Sequence, residues 1–323
     1  MFGITIKQVA LLLFYILIGY VLTRKKIIGD GASKIISKLL VWVFTPFYTV
    51  VNLSRNVSVE KIRLYLSLFL AGTVYAVLAV AAACLIAKFL CKKSYVRNIY
   101  TYLLAFSNSG YFGYPLVEAV FGGETLAHFM IFCIATSVAI NTFGYYILTN
   151  VVSEESENAE QSSGVKKNRF AFLYSPPMLG TYAGLLLGLL PIQVPQLVYD
   201  FLSPAANCMS PSAMILVGCV LAGVSVKRLF TSYKSYILGV IRLIILPALF
   251  GATGYLIYKA FNAPADIFVF FTLLSGLPAG MNAVVFPESV GQDGSEGAIA
   301  CFISYVMCLI TVPTMISAVS ALL

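Results

Sequence analysis

Two segments of this chain set amides, hydroxyls, glycines and a proline inside apolar runs: Ser107-Asn108-Ser109-Gly110-Tyr111-Phe112-Gly113-Tyr114-Pro115 and Ser275-Gly276-Leu277-Pro278-Ala279-Gly280-Met281-Asn282. Proline removes a backbone donor and clashes with the preceding turn, and glycine weakens the helix around it. Both segments are therefore expected to break their helices. A broken helix offers N–H groups and a positive half-dipole to an anion at one end, and free carbonyls to a cation or a donor at the other. The candidate substrate-binding residues are Asn108, Ser109, Gly110, Gly113 and Pro115 in the first segment and Gly276, Pro278, Gly280 and Asn282 in the second. Asn141, with Thr136 and Ser137 nearby, is a further candidate, although a helix-to-helix hydrogen bond is the commoner use of such residues.

Glycine and proline are common in transmembrane helices, so one such segment would carry little weight. Two in corresponding places carry more. Pro46 and Pro211 read as packing kinks and stay outside the site, and Gly180, Gly184 and Gly188 form a small-residue ladder for close helix contact. Arg242 lies within an apolar span and has two readings, a functional buried charge or a side chain that snorkels to the membrane surface beside Lys234. Glu118 and Glu288 follow the two breaks and have two readings as well, a proton site or ordinary solvated carboxylates near span ends.

The elements that must position these residues are set by composition. Of 323 residues 60% are hydrophobic and 11% charged, and the mean hydropathy is +0.91, which describes an integral membrane protein rather than a water-soluble fold. Runs such as Val9 to Leu22 and Leu64 to Ala87 are apolar on all faces, which indicates helices and not the alternating strands of a barrel. Spans are placed at 4–23, 36–53, 64–88, 97–121 and 125–150, then at 171–190, 198–225, 234–260, 266–290 and 297–322. The expected fold is an all-α integral membrane protein of ten transmembrane helices. It divides into a first repeat at 1–152, a polar linker at 153–169 and a second repeat at 170–323.

An odd number of spans in each half makes the two halves insert with opposite topology. Gly19 and Gly184 are 165 residues apart, as are Pro46 and Pro211, and Gly113-Tyr114-Pro115 precedes Gly276-Leu277-Pro278 by 163. The first, second and fourth spans of each half thus correspond, as an inverted five-plus-five repeat requires.

The net charge of +8 marks loops on one side of a membrane, and nucleic acid is not an expected partner. Fifteen Lys and Arg follow spans 1, 3, 5 and 7: Arg24, Lys25, Lys26, Lys34, Lys38, Lys88, Lys92, Lys93, Arg97, Lys166, Lys167, Arg169, Lys227, Arg228 and Lys234. The opposite side has five: Lys7, Arg55, Lys61, Arg63 and Lys259. Both termini are expected outside and the linker in the cytoplasm. Seven scattered cysteines and a single histidine suggest neither a disulfide framework nor a metal site, and no cofactor is expected. Tyr199-Asp200 with Asp293 is a poor match to a membrane aspartyl protease, and there is no G-x-x-x-x-G-K-[S/T] motif, so an enzyme or a nucleotide-driven pump is not expected.

Several motifs together give the chain a family likeness over nearly its whole length: Leu40 to Leu53 with Pro46, Asn108 to Pro115, Ser175-Pro176, Pro211 before Gly218, Leu277-Pro278, and Leu309 to Pro313. It resembles the auxin efflux carrier family, as a bacterial relative of the plant PIN-formed carriers. The resemblance implies ten helices in a sodium/bile acid symporter-like, NhaA-like arrangement, with two broken helices crossing at the substrate site. It also implies elevator-type export or exchange of small organic anions, a homodimer and a plasma-membrane location. Asn108 and Pro115 fall on the first crossover and Pro278 on the second. A cation/proton antiporter or Na⁺-coupled symporter on the same plan is the alternative; it would want carboxylates beside the breaks, where Asn108 and Asn282 stand.

The orientation is testable directly. A protease site inserted after Gln161 is expected to be cut in inside-out vesicles and spared in right-side-out ones; the reverse pattern would invert the topology.

Overall fold

The computed structural model describes residues 2–29, 31–92, 94–149, 174–190, 194–225, 231–289 and 295–322. The linker 153–169 with Lys166, Lys167 and Arg169, together with Lys93, Lys227, Arg228 and Asp293 and the side chain of Glu288, lies outside the described residues.

The first half runs α1 (Phe2–Arg24), α2 (Ala32–Leu39), α3 (Thr45–Asn56), α4 (Ile62–Leu90), α5 (Ser94–Ala105), α6 (Tyr114–Phe121), α7 (Gly123–Ala139) and α8 (Tyr145–Thr149). The second runs α9 (Pro176–Leu189), α10 (Gln196–Asn207), α11 (Met209–Leu221), α12 (Tyr233–Val240), α13 (Leu246–Ala260), α14 (Ala265–Gly276), α15 (Asn282–Ser289) and α16 (Ser295–Leu322). Among the described residues seven helical stretches are long and apolar enough to cross a membrane: Phe2–Arg24, Ala32–Asn56, Val59–Leu90, Gly123–Thr149, Gln196–Leu221, Tyr233–Ala260 and Ser295–Leu322. The remaining apolar helix is in shorter pieces, α5 and α6, α9, and α14 and α15. No strand occurs among the described residues beyond one isolated antiparallel bridge.

Outward-facing apolar side chains identify the lipid surface. On α1, Val9, Leu12, Ile16 and Gly19 are buried while Leu11, Phe14 and Leu17 are exposed, so only one stripe of an all-apolar helix meets protein. The fold is a multi-pass helical membrane protein.

Expected boundaries shift where the chain bends. The span expected at 36–53 begins at Ala32, and those expected at 97–121 and 266–290, each read as holding a break, are each two helices with a gap, at 106–108 and 277–281. The span expected at 198–225 is α10 and α11 with an irregular joint at Cys208. Three prolines share one local device: Pro46, Pro115 and Pro247 each lie two residues beyond a π-helical turn, Leu40–Phe44, Ser109–Gly113 and Ile241–Ile245. The wider turn loosens the hydrogen-bond ladder just where the proline ring would clash with it.

Helices α1 and α11 pack on each other, as do α3 and α9, with α10 alongside α3. The first crossing is possible only because Gly19 and Gly218 lack side chains: a Cβ on Gly218 would lie 2.0 Å from the Ile16 carbonyl oxygen. The ladder of Gly180, Gly184 and Gly188 does the same for α9 against Pro46, Thr49, Leu53 and Val57 of the α3 stretch. A second group is α4 with α5 and α7, α13 with α14, and α12 with α16. Its centre is an aromatic cluster in which Tyr75 touches Phe132, Phe250 and Phe271, with ring centroids 5.8, 5.0 and 5.4 Å away. The two groups meet where α1 runs against α6 and α16 and where α3 touches α7.

Gly218→Ala is expected to destabilise the protein by about 1–3 kcal/mol through overpacking, since backbone and not a flexible side chain is in the way. Gly3→Ala, with nothing within 4 Å, is the control. Equal melting temperatures for the two variants would contradict the close α1–α11 contact.

Candidate functional site

After α5 the chain extends through Phe106, Ser107 and Asn108, and after α14 it extends through Leu277 to Gly280. The two extended pieces lie antiparallel with Ser107 opposite Ala279; Asn108 N–H donates to Pro278 O at 2.9 Å and Gly280 N–H to Phe106 O at 3.1 Å. Backbone released from a helix in hydrocarbon must find partners inside the protein, and this pairing supplies them from the other half of the chain. Ala279 N–H, outside the pair, donates to Ser304 Oγ of α16 at 3.1 Å.

Each broken helix resumes at once. Asn108 caps the first resumption: its Oδ1 accepts from Tyr111 N–H at 3.2 Å, and its carbonyl accepts from Phe112 and Gly113 N–H. Its side-chain amide donates in turn to the Tyr305 hydroxyl. Ser109 is buried beside the Cys133 thiol. Gly110 has nothing within 4 Å of where a Cβ would stand, so this helix end opens onto free space. Asn282 begins α15 and lies against the Tyr102 hydroxyl. Among the described residues, the N–H groups of Ser109, Gly110, Met281 and Asn282 have no backbone partner. The two resuming helices therefore direct positive ends at the crossing.

The opposite ends meet a single cation. Arg242 is fully buried, and its guanidinium donates to Leu104 O near the end of α5 and to Leu274 O and Leu277 O at the end of α14, the latter two at 3.2 Å. The snorkelling reading is thereby corrected: the side chain turns into the protein because three carbonyls freed by the breaks await a donor there.

The structure thus brings together Asn108, Gly113, Pro278 and Gly280. A Cβ on Gly113 would strike Leu277 at 2.5 Å, and one on Gly280 would lie 3.2 Å from Phe106 O. Gly276 is buried against Met315, Pro115 stands at the start of α6, and Asn282 stands across the crossing at the start of α15. Asn141 is not brought in. It is exposed on the π-helical turn Ile140–Gly144 and donates to Ser137 O of its own helix at 2.8 Å.

Sequence reasoning missed Tyr102, Ser304 and Tyr305. The adjacent Ser304-Tyr305 pair is the available signal, a polar step in the middle of a long apolar helix. On the flank of α6 a cavity of about 300 Å³ is lined by Gln8, Tyr15, Tyr48, Pro115, Glu118 and Ser210 among others. Here Tyr48 donates to Glu118 at 2.7 Å and Ser210 to Tyr111 O at 3.1 Å. No cluster of metal-ligating side chains occurs among the described residues, and Asp200 is exposed and accepts from Gln196.

A family model described as a membrane transport protein matches residues 4–316. No curated protein matches the chain.

The Asn108–Tyr305 bond gives a checkable stability term. Asn108→Ala removes a cap and strands a buried hydroxyl, with an expected loss of about 1–3 kcal/mol. Combined with Tyr305→Phe in a double-mutant cycle, it is expected to show coupling of about 0.5–3 kcal/mol in detergent unfolding; strict additivity would mean that the pair does not interact.

Proposed function

The chain belongs to the membrane transport protein family, the auxin efflux carrier family that its motifs resemble, and from this premise we propose that it is a secondary active transporter of small organic anions such as mono- or dicarboxylates. The observation that carries the reading is the crossing itself: two interrupted helices paired at Ser107 and Ala279, each followed by an N-terminal end, with the first of these ends open at Gly110. Oriented N–H groups in a low-dielectric setting bind a carboxylate without any basic side chain in contact with it. Asn108 and Asn282 add amides that can donate to the same oxygens. Asn141 belongs to this reading only if substrate also passes the exposed turn on which it stands.

The fuller form of the proposal is ten membrane crossings in two inverted repeats, counting α5 with α6, α9, and α14 with α15 alongside the seven long stretches. The pairing of α1 with α11 and of α3 with α9 supports it, because exchanging the two repeats exchanges these pairs. In an elevator mechanism the group containing the crossing moves against the group built on α1, α3, α9, α10 and α11, carrying substrate between the two sides. We also propose a homodimer in the plasma membrane with both termini outside. Cation coupling is a second reading, favoured by the Glu118 carboxylate on the flanking cavity.

Purified protein is tested by thermal stabilisation against mono- and dicarboxylates, indole acids and sodium, because a ligand that binds the native state raises its melting temperature. A carboxylate at 100 times its Kd is expected to add about 2.7 kcal/mol, and Asn108→Ala to abolish the effect. Stabilisation by sodium alone would replace the anion reading with the cation one.

A further inference from the structure

We infer that Arg242 decides the sign of the charge accepted at the crossing, by cancelling the negative ends of α5 and α14 so that the positive ends at Ser109 and Asn282 dominate. This rests on the proposed anion site and names the residue that gives it its selectivity.

A crossing of two interrupted helices has no intrinsic preference for either sign. It presents two C-terminal ends, each equivalent to roughly −0.5 charge, and two N-terminal ends of roughly +0.5 each. Bare, the four nearly cancel. The chain supplies one unit of positive charge, and the guanidinium places it on the carbonyls of both C-terminal ends together, through Leu104 from one half and Leu274 and Leu277 from the other. That leaves about one unit of uncompensated positive character at the N-terminal ends.

Among the described residues no carboxylate pairs with the guanidinium. Lys61 pairs with Glu124 and the His128 ring contacts Asp266, and neither contact includes Arg242. The titratable side chains in the field of the guanidinium are Tyr75, Tyr102 and Cys301, all buried. A buried arginine held only by carbonyls retains its full charge as a source of field, where a salt bridge would have spent that charge on its partner. The hydrogen bonds of Arg242 go to the carbonyl ends and not to the N-terminal ends, so it acts as a positioning residue and as a fixed charge, not as a ligand.

A residue needed only for folding would affect every ligand alike, whereas a fixed charge affects ligands in proportion to their own charge. The experiment therefore compares, on the full-length protein, a dicarboxylate, the matching half-amide monocarboxylate and the neutral diamide. Arg242→Gln is expected to weaken the monoanion about tenfold and the dianion about a hundredfold while changing the diamide less than about twofold. A second variant keeps the charge and changes the shape of the side chain: Arg242→Lys is expected to bind the three ligands in the wild-type order, dianion over monoanion over diamide.

In Arg242→Gln, equal weakening of all three ligands, or none, overturns the inference, and so does loss of the charge order in a folded Arg242→Lys protein. If no carboxylate binds the wild-type protein at all, it is the anion-site reading that has failed, and the Arg242 assignment falls with it. Anion binding by wild type with no charge-graded response in Arg242→Gln sinks the assignment alone.

Discussion

A backbone amide set free in hydrocarbon has no water to turn to, and the structure is organised around meeting that constraint at one place. Breaking α5 and α14 frees carbonyls and N–H groups from two helices at once. Each break supplies partners for the other through the Ser107–Ala279 pairing, so neither could be formed alone. The groups that remain are met unequally: Arg242 serves the carbonyl ends, and Ser304 and Asn108 serve part of the amide ends. On the transporter reading, this imbalance is what turns a folding problem into a binding site.

The surroundings hold that arrangement still without filling it. The Tyr75, Phe132, Phe250 and Phe271 cluster packs α4, α7, α13 and α14 together, fixing the helix whose end Arg242 serves. Arg242 sits on the π-helical turn Ile241–Ile245, ahead of Pro247, and the corresponding turn on the first crossing helix, Ser109–Gly113, lies ahead of Pro115. In both, proline is what makes the wide turn the cheaper conformation. The same local chemistry thus positions the cation at one end of the crossing and the capped amides at the other.

Much of this was legible in the sequence, for identifiable reasons. Glycine and proline act locally, so the breaks at Asn108–Pro115 and Ser275–Asn282 could be read from residue types alone. Their crossing rested on the repeat offset and the family resemblance. What could not be read was partnership across distance. Arg242 bonds to carbonyls 32, 35 and 138 residues away, and carbonyls have no sequence identity to recognise. For the same reason Tyr305 went unnoticed as the partner of Asn108, while Asn141, equally polar and equally intramembrane by position, spends its amide on its own helix. A polar residue type in an apolar span states that a partner is needed; only the fold says whether that partner is local.

The contacts between the two groups of helices differ in kind from those within them. Inside each group glycines let backbones touch, and any slippage would collide with carbonyl oxygens, as at Gly218 and Gly72. Between the groups, Tyr48 reaches Glu118 and Ser210 reaches Tyr111 O beside a cavity of about 300 Å³. Polar bonds beside an open cavity can be exchanged for bonds to water at little net change in free energy, whereas interlocked backbones cannot. On the transporter reading this is the division of labour that movement requires: rigid seams where the crossing must be preserved, and a wettable, exchangeable seam where one group must slide past the other.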